Sequence, residues 1–143
     1  MPIYQTNQDK INQEDVLKRI AYSCACDYTP SNTVTDPYDG SLTHNGKPIA
    51  LVEVKCRNIS RQAYSTFKID KSKIDKLHTI ATQNQLPAYL AVRFNDALGV
   101  LGTDIIQARA IVSEFFRKDR NDVNDRDVAY EFSNDLWKVI EGT

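Results

Sequence analysis

The 143-residue chain predicts a single α/β domain in which a mixed central β-sheet is flanked by helices. Three features carry that expectation. Val16, Leu17, Ile20, Ala21 and Cys24 recur at helical spacing and form one apolar stripe. Asn45-Gly46, a pair that tolerates the positive φ angles of a tight turn, separates two strand-like runs, Ser41 to His44 and Lys47 to Cys56. Ala88 to Phe94 is apolar on both faces, as a strand in the middle of a sheet is.

Taken in order, the elements follow from local chemistry. Asn12 reads as the cap of a first helix running to about Cys26, with Glu14 and Asp15 in the first turn where the helix dipole favours acids. Glu14 falls at the edge of the apolar stripe and Asp15 on the solvent side, so only Glu14 can reach inward. Residues 29 to 33 have loop composition, and Asp36-Pro37-Tyr38-Asp39-Gly40 is a turn signal leading into the hairpin. Residues 57 to 66 lack a period and are expected to form a mobile loop. Thr66 to Ile69 reads as a short strand, after which Asp70 or Ser72 caps a helix carrying Ile74, Leu77, Ile80 and Ala81 and ending before Pro87. The 88–94 strand turns at Asn95 to Ala97 and returns as Leu98 to Leu101. Beyond it, a helix is expected over Asp104 to Arg109, and Ile111 to Phe116 fits helix or strand. Residues 117 to 127 are too polar to pack, Val128 to Phe132 alternates like an edge strand, and Ser133 caps a short final helix through Trp137 and Ile140.

Composition narrows the function. A net charge of −1 argues against a surface coated in positive charge for nucleic acid, yet leaves room for a local basic patch such as Lys68, Lys71, Lys73 and Lys76. No apolar run approaches the roughly 20 residues that span a bilayer, so no membrane partner is expected. The first residues lack a signal-peptide pattern, which points to the cytoplasm. Cys24, Cys26 and Cys56 are then expected as reduced thiols, and with His44 and His78 isolated they offer no zinc spacing.

The chemistry concentrates at Ile49 to Asn58, where a buried apolar strand ends on charges of opposite sign. Side chains two apart share a face, so Glu53 and Lys55 project together while Ala50, Val52, Val54 and Cys56 point the other way. Burying either charge unpaired costs several kcal/mol, so the two form either a satisfied ion pair or a site that needs a carboxylate beside an ammonium.

Asp39 before the hairpin, then a fourteen-residue step to Glu53, then Glu53-Val54-Lys55 at the end of the apolar strand resembles the PD-(D/E)XK nuclease superfamily. The small Holliday-junction-resolvase-like and phage-type members are the most similar. The resemblance spans residues 12 to about 102 and extends loosely over 103 to 143 as a C-terminal elaboration. It implies a restriction-endonuclease-like core and a Mg²⁺-dependent DNA endonuclease, with Mn²⁺ able to substitute and no organic cofactor. It further implies that Asp39 and Glu53 hold the metal with the Val54 carbonyl, that Lys55 orients the attacking water or stabilises developing charge, and that Glu14 matches a helix-one acid that assists in some members. DNA is the implied partner and a homodimer a common arrangement. Arg57, Lys68, Lys71, Lys73 and Lys76 are candidates for phosphate contacts, with Arg93 and Tyr64 further off and Phe67 better suited to the core. Two other readings stay open: a catalytically inactive DNA-binding protein on the same fold, and an interaction domain in which Glu53 and Lys55 are only an ion couple.

The hairpin register decides which aspartate serves. With a strict two-residue turn at Asn45-Gly46, His44 lies opposite Lys47 and Asp39 opposite Val52, which turns Asp39 away from Glu53 and sets Asp36 opposite Lys55. A three-residue loop or a one-residue bulge brings Asp39 opposite Glu53 instead. The resemblance favours Asp39 and therefore a bulge or longer loop, with Asp36 as the runner-up.

Overall fold

The computed structural model describes residues 7–31, 36–116 and 126–142. Helix α1 (Asn7–Cys24) begins five residues before the expected cap, and Asn12 lies inside it, its side chain accepting a 3.1 Å bond from Gln8 one turn back. Val16, Leu17, Ile20 and Ala21 are buried as the stripe requires, whereas Cys24 is exposed at the helix end. The chain reverses at Ala25 (φ 54°) into β1 (Asp27–Pro30), a strand where loop was expected. Among the described residues β1 pairs only with β2 (Gly40–His44), and an edge strand tolerates Pro30 because its missing N–H takes nothing from a ladder.

β2 pairs antiparallel with β3 (Lys47–Cys56), which pairs parallel with β5 (Ala88–Arg93); β6 (Ala97–Gly102) and β9 (Lys138–Gly142) complete a six-stranded mixed sheet in the order β1-β2-β3-β5-β6-β9. α1 covers one face, packing on Leu42, Ala50, Val52, Val54 and Ala91. The other face is covered by α2 (Lys71–Gln83), α3 (Thr103–Arg109) and a second, three-stranded sheet of β4 (Thr66–Asp70), β8 (Arg126–Ser133) and β7 (Ile111–Phe116). Asp70 is the cap of α2, its side chain accepting from the Ser72 N–H at 3.0 Å.

The C-terminal third departs from the sequence reading in ways that tertiary contacts explain. β8 is the middle strand of the second sheet, not an edge, since β4 and β7 flank it. Ser133 does cap a turn, accepting from the Asp135 N–H at 3.1 Å, but the 3₁₀ turn lasts only from Asn134 to Leu136. Trp137 then enters a cluster of aromatic rings with Phe67, Phe94 and Phe132, donates its indole N–H to Asn134 at 2.8 Å, and releases the chain to pair along β6 as a strand. Gly99 admits that ring: a Cβ there would lie 3.1 Å from Trp137.

Of residues 57–66, expected to be mobile, Thr66 opens β4 and 57–65 are tied down by distant partners. Arg57 N–H donates to the Arg93 carbonyl at 2.9 Å, the Asp96 carboxylate accepts from Arg61 N–H and Ser60 Oγ at 2.9 and 2.8 Å, and Asn134 donates to the Tyr64 carbonyl at 2.9 Å.

Asp75 joins α2 to α3 and β8. It accepts from Lys71 Nζ at 2.6 Å, Gln107 Nε2 at 3.0 Å and the Tyr130 hydroxyl at 2.6 Å. Burial pushes its carboxyl up, but the bonds from Lys71, Tyr130 and Gln107 outweigh that and hold it below the ordinary carboxylate range. A depressed folded-state value means stability that is present above about pH 4 and lost as the pH falls through the folded value. Asp75→Ala is expected to lower unfolding free energy by about 1–3 kcal/mol at pH 7 in urea titrations, with the loss shrinking toward pH 3.

Candidate active site

The site is built where β2 meets β3, and the local sequence sets its geometry. The turn is the two-residue Asn45-Gly46 (φ 53° and 79°), with His44 opposite Lys47. The register then shifts by one between Leu42 and Thr43: Thr43 faces Pro48 and Leu42 faces Ala50, so Ile49 is the extra residue of a bulge. From there Ser41 faces Leu51 and Gly40 faces Val52, which brings Asp39 level with Glu53. Asp39 prolongs the ladder past the end of β2, its N–H donating to the Val52 carbonyl at 2.9 Å and its Oδ2 accepting the Val54 N–H at 2.7 Å. The N–H and C=O of a strand residue point to the same side, so the Val54 carbonyl also faces the Asp39 side.

Gly40 serves a purpose other than the turn freedom its sequence context suggests. A Cβ there would lie 2.5 Å from Leu17 Cδ1 and 2.9 Å from the Thr29 carbonyl, so glycine lets α1 and β1 close on the strand that carries Asp39.

Leu51, Glu53 and Lys55 face α2, while Ala50, Val52 and Val54 face α1. Glu53 is 4% exposed and lies beside the Asp39 carboxyl. Lys55 Nζ lies 3.6 Å from Glu53 Oε1. A second ammonium reaches the same oxygen: Lys73 Nζ, from the first turn of α2, at 3.3 Å. Burial pushes the Asp39 carboxyl up, against the Val54 N–H and the two lysines; burial and the neighbouring Asp39 push Glu53 up likewise. Burial pulls Lys55 down; it pulls on Lys73 too, but there the neighbouring groups, Glu53 foremost and Asp39 with it, together outweigh burial and raise it.

The other candidates lie apart from this group. Glu14 is exposed on α1, across the sheet from Glu53, and accepts a 3.4 Å bond from the Tyr28 hydroxyl. Among the described residues no three His, Cys, Asp or Glu side chains converge. Asp36 accepts a hydrogen bond from Ser31 Oγ in the loop before β2. Lys71 is engaged by Asp75 and lies over the Tyr130 ring at 5.3 Å, and Lys68 and Lys76 are exposed. Arg57 lies over the Phe67 ring at 5.7 Å and donates to the Cys56 carbonyl at 3.2 Å. Arg93 faces α1, 3.7 Å from Asp15; Phe67 is core, and Tyr64 is exposed. Lys73 is the residue whose place the sequence did not reveal, since it read as one of four lysines on a basic surface. A signal was present: a cation in a first turn that holds no acid opposes the helix dipole and calls for a partner elsewhere.

The buried Glu53 carboxylate, the half-buried Asp39 carboxylate and a neighbouring carbonyl, with ammoniums beside them, fit a hard divalent cation, which takes oxygen ligands and retains waters in its shell.

Comparisons with known proteins agree on the fold. The chain resembles Hjc, a Holliday junction resolvase from the archaeal hyperthermophile Archaeoglobus fulgidus, at 12% identity and a TM-score of 0.58, over 92% of this chain and 90% of that one. It also resembles D212, a nuclease from a fusselovirus, at 16% identity and a TM-score of 0.55, over 98% of this chain and 91% of that one. No curated protein matches it in sequence. Residues 1–140 match the family described as "Phage putative PDDEXK endonuclease". With its restriction-endonuclease-like fold and that match over nearly its whole length, the chain belongs to the phage PDDEXK endonuclease family.

Proposed function

We propose that the chain is a divalent-metal-dependent deoxyribonuclease of the cytoplasm, in which Asp39, Glu53 and the Val54 carbonyl hold Mg²⁺ and Lys55 assists the attacking water. The observation that carries the reading is the meeting of the half-buried Asp39, at the head of β2, with the buried Glu53 of β3, and Lys55 on the same face. Bound there, the ion would neutralise charge on the phosphodiester and lower the pKa of a water. Asp39 is fixed by the Val54 N–H, so its free carboxylate edge has a set direction. Lys55 is held within reach of Glu53 by the strand they share, and its ammonium can orient a water or meet charge building on the phosphate. Arg57, Lys68 and Lys76, all exposed, are the proposed phosphate contacts outside the carboxylate group. Glu14 stays outside the ligand set in this reading.

The test is cleavage of labelled linear, nicked, flap and four-way DNA with Mg²⁺, Mn²⁺ or EDTA; the branched substrates are included because one structural neighbour is a junction resolvase. Cleavage that EDTA stops is expected. Mg²⁺ without DNA is expected to raise the melting temperature, since a ligand at 100 times its Kd stabilises by roughly 2.7 kcal/mol. Retention of DNA without turnover at any metal concentration would favour a binding protein on the same fold. No thermal response to any divalent ion would leave Glu53 and Lys55 as an ion couple.

A further inference from the structure

Glu53 Oε1 receives two ammoniums, and they differ in how they are held. Lys55 rises from the same strand as Glu53, its side chain 24% exposed; Lys73 arrives from the first turn of α2, its side chain 42% exposed. That turn already carries Lys71 and holds no acid, so the helix dipole gains nothing from Lys73. The contact with Glu53 across the gap to β3 is what holds its ammonium in place.

From this we infer that Lys73 is an internal counter-ion: it occupies the cation requirement of Asp39 and Glu53 in the metal-free protein and gives up Glu53 Oε1 when a divalent ion binds. This rests on the metal reading above. A divalent ion on Glu53 repels both ammoniums at these distances. Lys55 is the more buried of the two and is confined by its strand, so Lys73, on a flexible four-carbon stem at the solvent side, is the one that leaves. Two consequences follow with opposite signs. Lys73 competes with the metal and weakens its binding; once displaced, it is a free ammonium beside the reacting phosphate and strengthens the hold on DNA.

The experiment is calorimetric titration of Mg²⁺ into the DNA-free protein, paired with steady-state cleavage kinetics. Lys73→Gln is expected to tighten the Mg²⁺ Kd about tenfold and to raise KM for DNA several-fold, whereas a lysine that merely braced the site would on removal weaken both. Lys73→Arg keeps the charge and is expected to stay near wild type in Mg²⁺ affinity. Lys47→Gln, at the exposed hairpin turn, removes the same net charge and is expected to leave it unchanged. Lys73→Met, which retains the apolar stem, replaces Lys73→Gln if that variant fails to fold. Unchanged or weaker Mg²⁺ binding by Lys73→Gln, or by Lys73→Met in its place, beside a wild type that binds Mg²⁺ overturns the role of Lys73 alone. A wild type that takes up no divalent ion overturns the metal reading and this inference with it.

Discussion

Glu53→Ala is expected to lower the rate of Mg²⁺-dependent DNA cleavage by about 10²–10³-fold or more, the scale lost with one electrostatic group aimed at developing charge. Glu53 sits on the strand at the middle of the site, beside the Asp39 carboxyl and paired with both ammoniums, so its removal takes away one of two carboxylates and the partner of Lys55. Lys55→Ala is expected to cost a comparable factor while leaving both carboxylates to bind metal. Single-turnover cleavage with saturating Mg²⁺ measures the two losses, and calorimetric Mg²⁺ titration separates them, since only Glu53→Ala removes a ligand. Wild-type rates from both variants would end the mechanism.

Asp39→Asn should separate activity from stability. Asparagine keeps an oxygen to accept the Val54 N–H, so the ladder contact that extends β2 survives, but the second metal-binding charge does not. Cleavage is expected to fall by a factor similar to that for Glu53→Ala. Metal-free stability at pH 7.5 is expected to stay level or rise. The carboxyls of Asp39 and Glu53 are both raised by burial, and Glu53 is raised again by Asp39, so the folded state holds its protons more tightly than the unfolded chain. Stability from such groups is complete below the ordinary carboxylate range near pH 4 and is lost as the pH rises through the folded values. Urea midpoints in EDTA from pH 4 to 7.5 should therefore decline with pH in the wild type and decline less in Asp39→Asn. A midpoint for Asp39→Asn below wild type at pH 7.5 would mean that the aspartate is held there for structure rather than for a cation.

What could be read from the residues and what could not divides by the range of the interaction. Glu53 and Lys55 share a face by strand period alone, and the α1 stripe is a matter of helical spacing; both are local and both are in the structure, the stripe without Cys24. Asp39 needed one fact that the hairpin residues leave open, namely where its register slips, and the slip lies at Ile49. The α2 sequence signals that Lys73 needs a partner but not which one, because that partner is 20 residues back on another element. β9 was missed for a similar reason: Lys138 to Gly142 is short and locally ambiguous, and it becomes a strand because Trp137 is anchored in the core beside β6. The tethers on 57–65 come from Asp96 and Asn134, neither of which signals its target in sequence.

The bulge at Ile49 makes assembly of the site a matter of parity. Between Asp39 and Glu53, any single-residue insertion or deletion that the hairpin absorbs by shifting its pairing exchanges one sheet face for the other at Asp39, while a change of two residues restores it. The outer hairpin, from Asn45-Gly46 back to the bulge, can therefore drift in length in steps of two without dismantling the carboxylate pair. Ile49 itself is the exception: its deletion removes the bulge but leaves Thr43 opposite Pro48, Leu42 opposite Ala50 and Asp39 level with Glu53. Sequence divergence in such a hairpin is thus constrained in its counting more than in its composition.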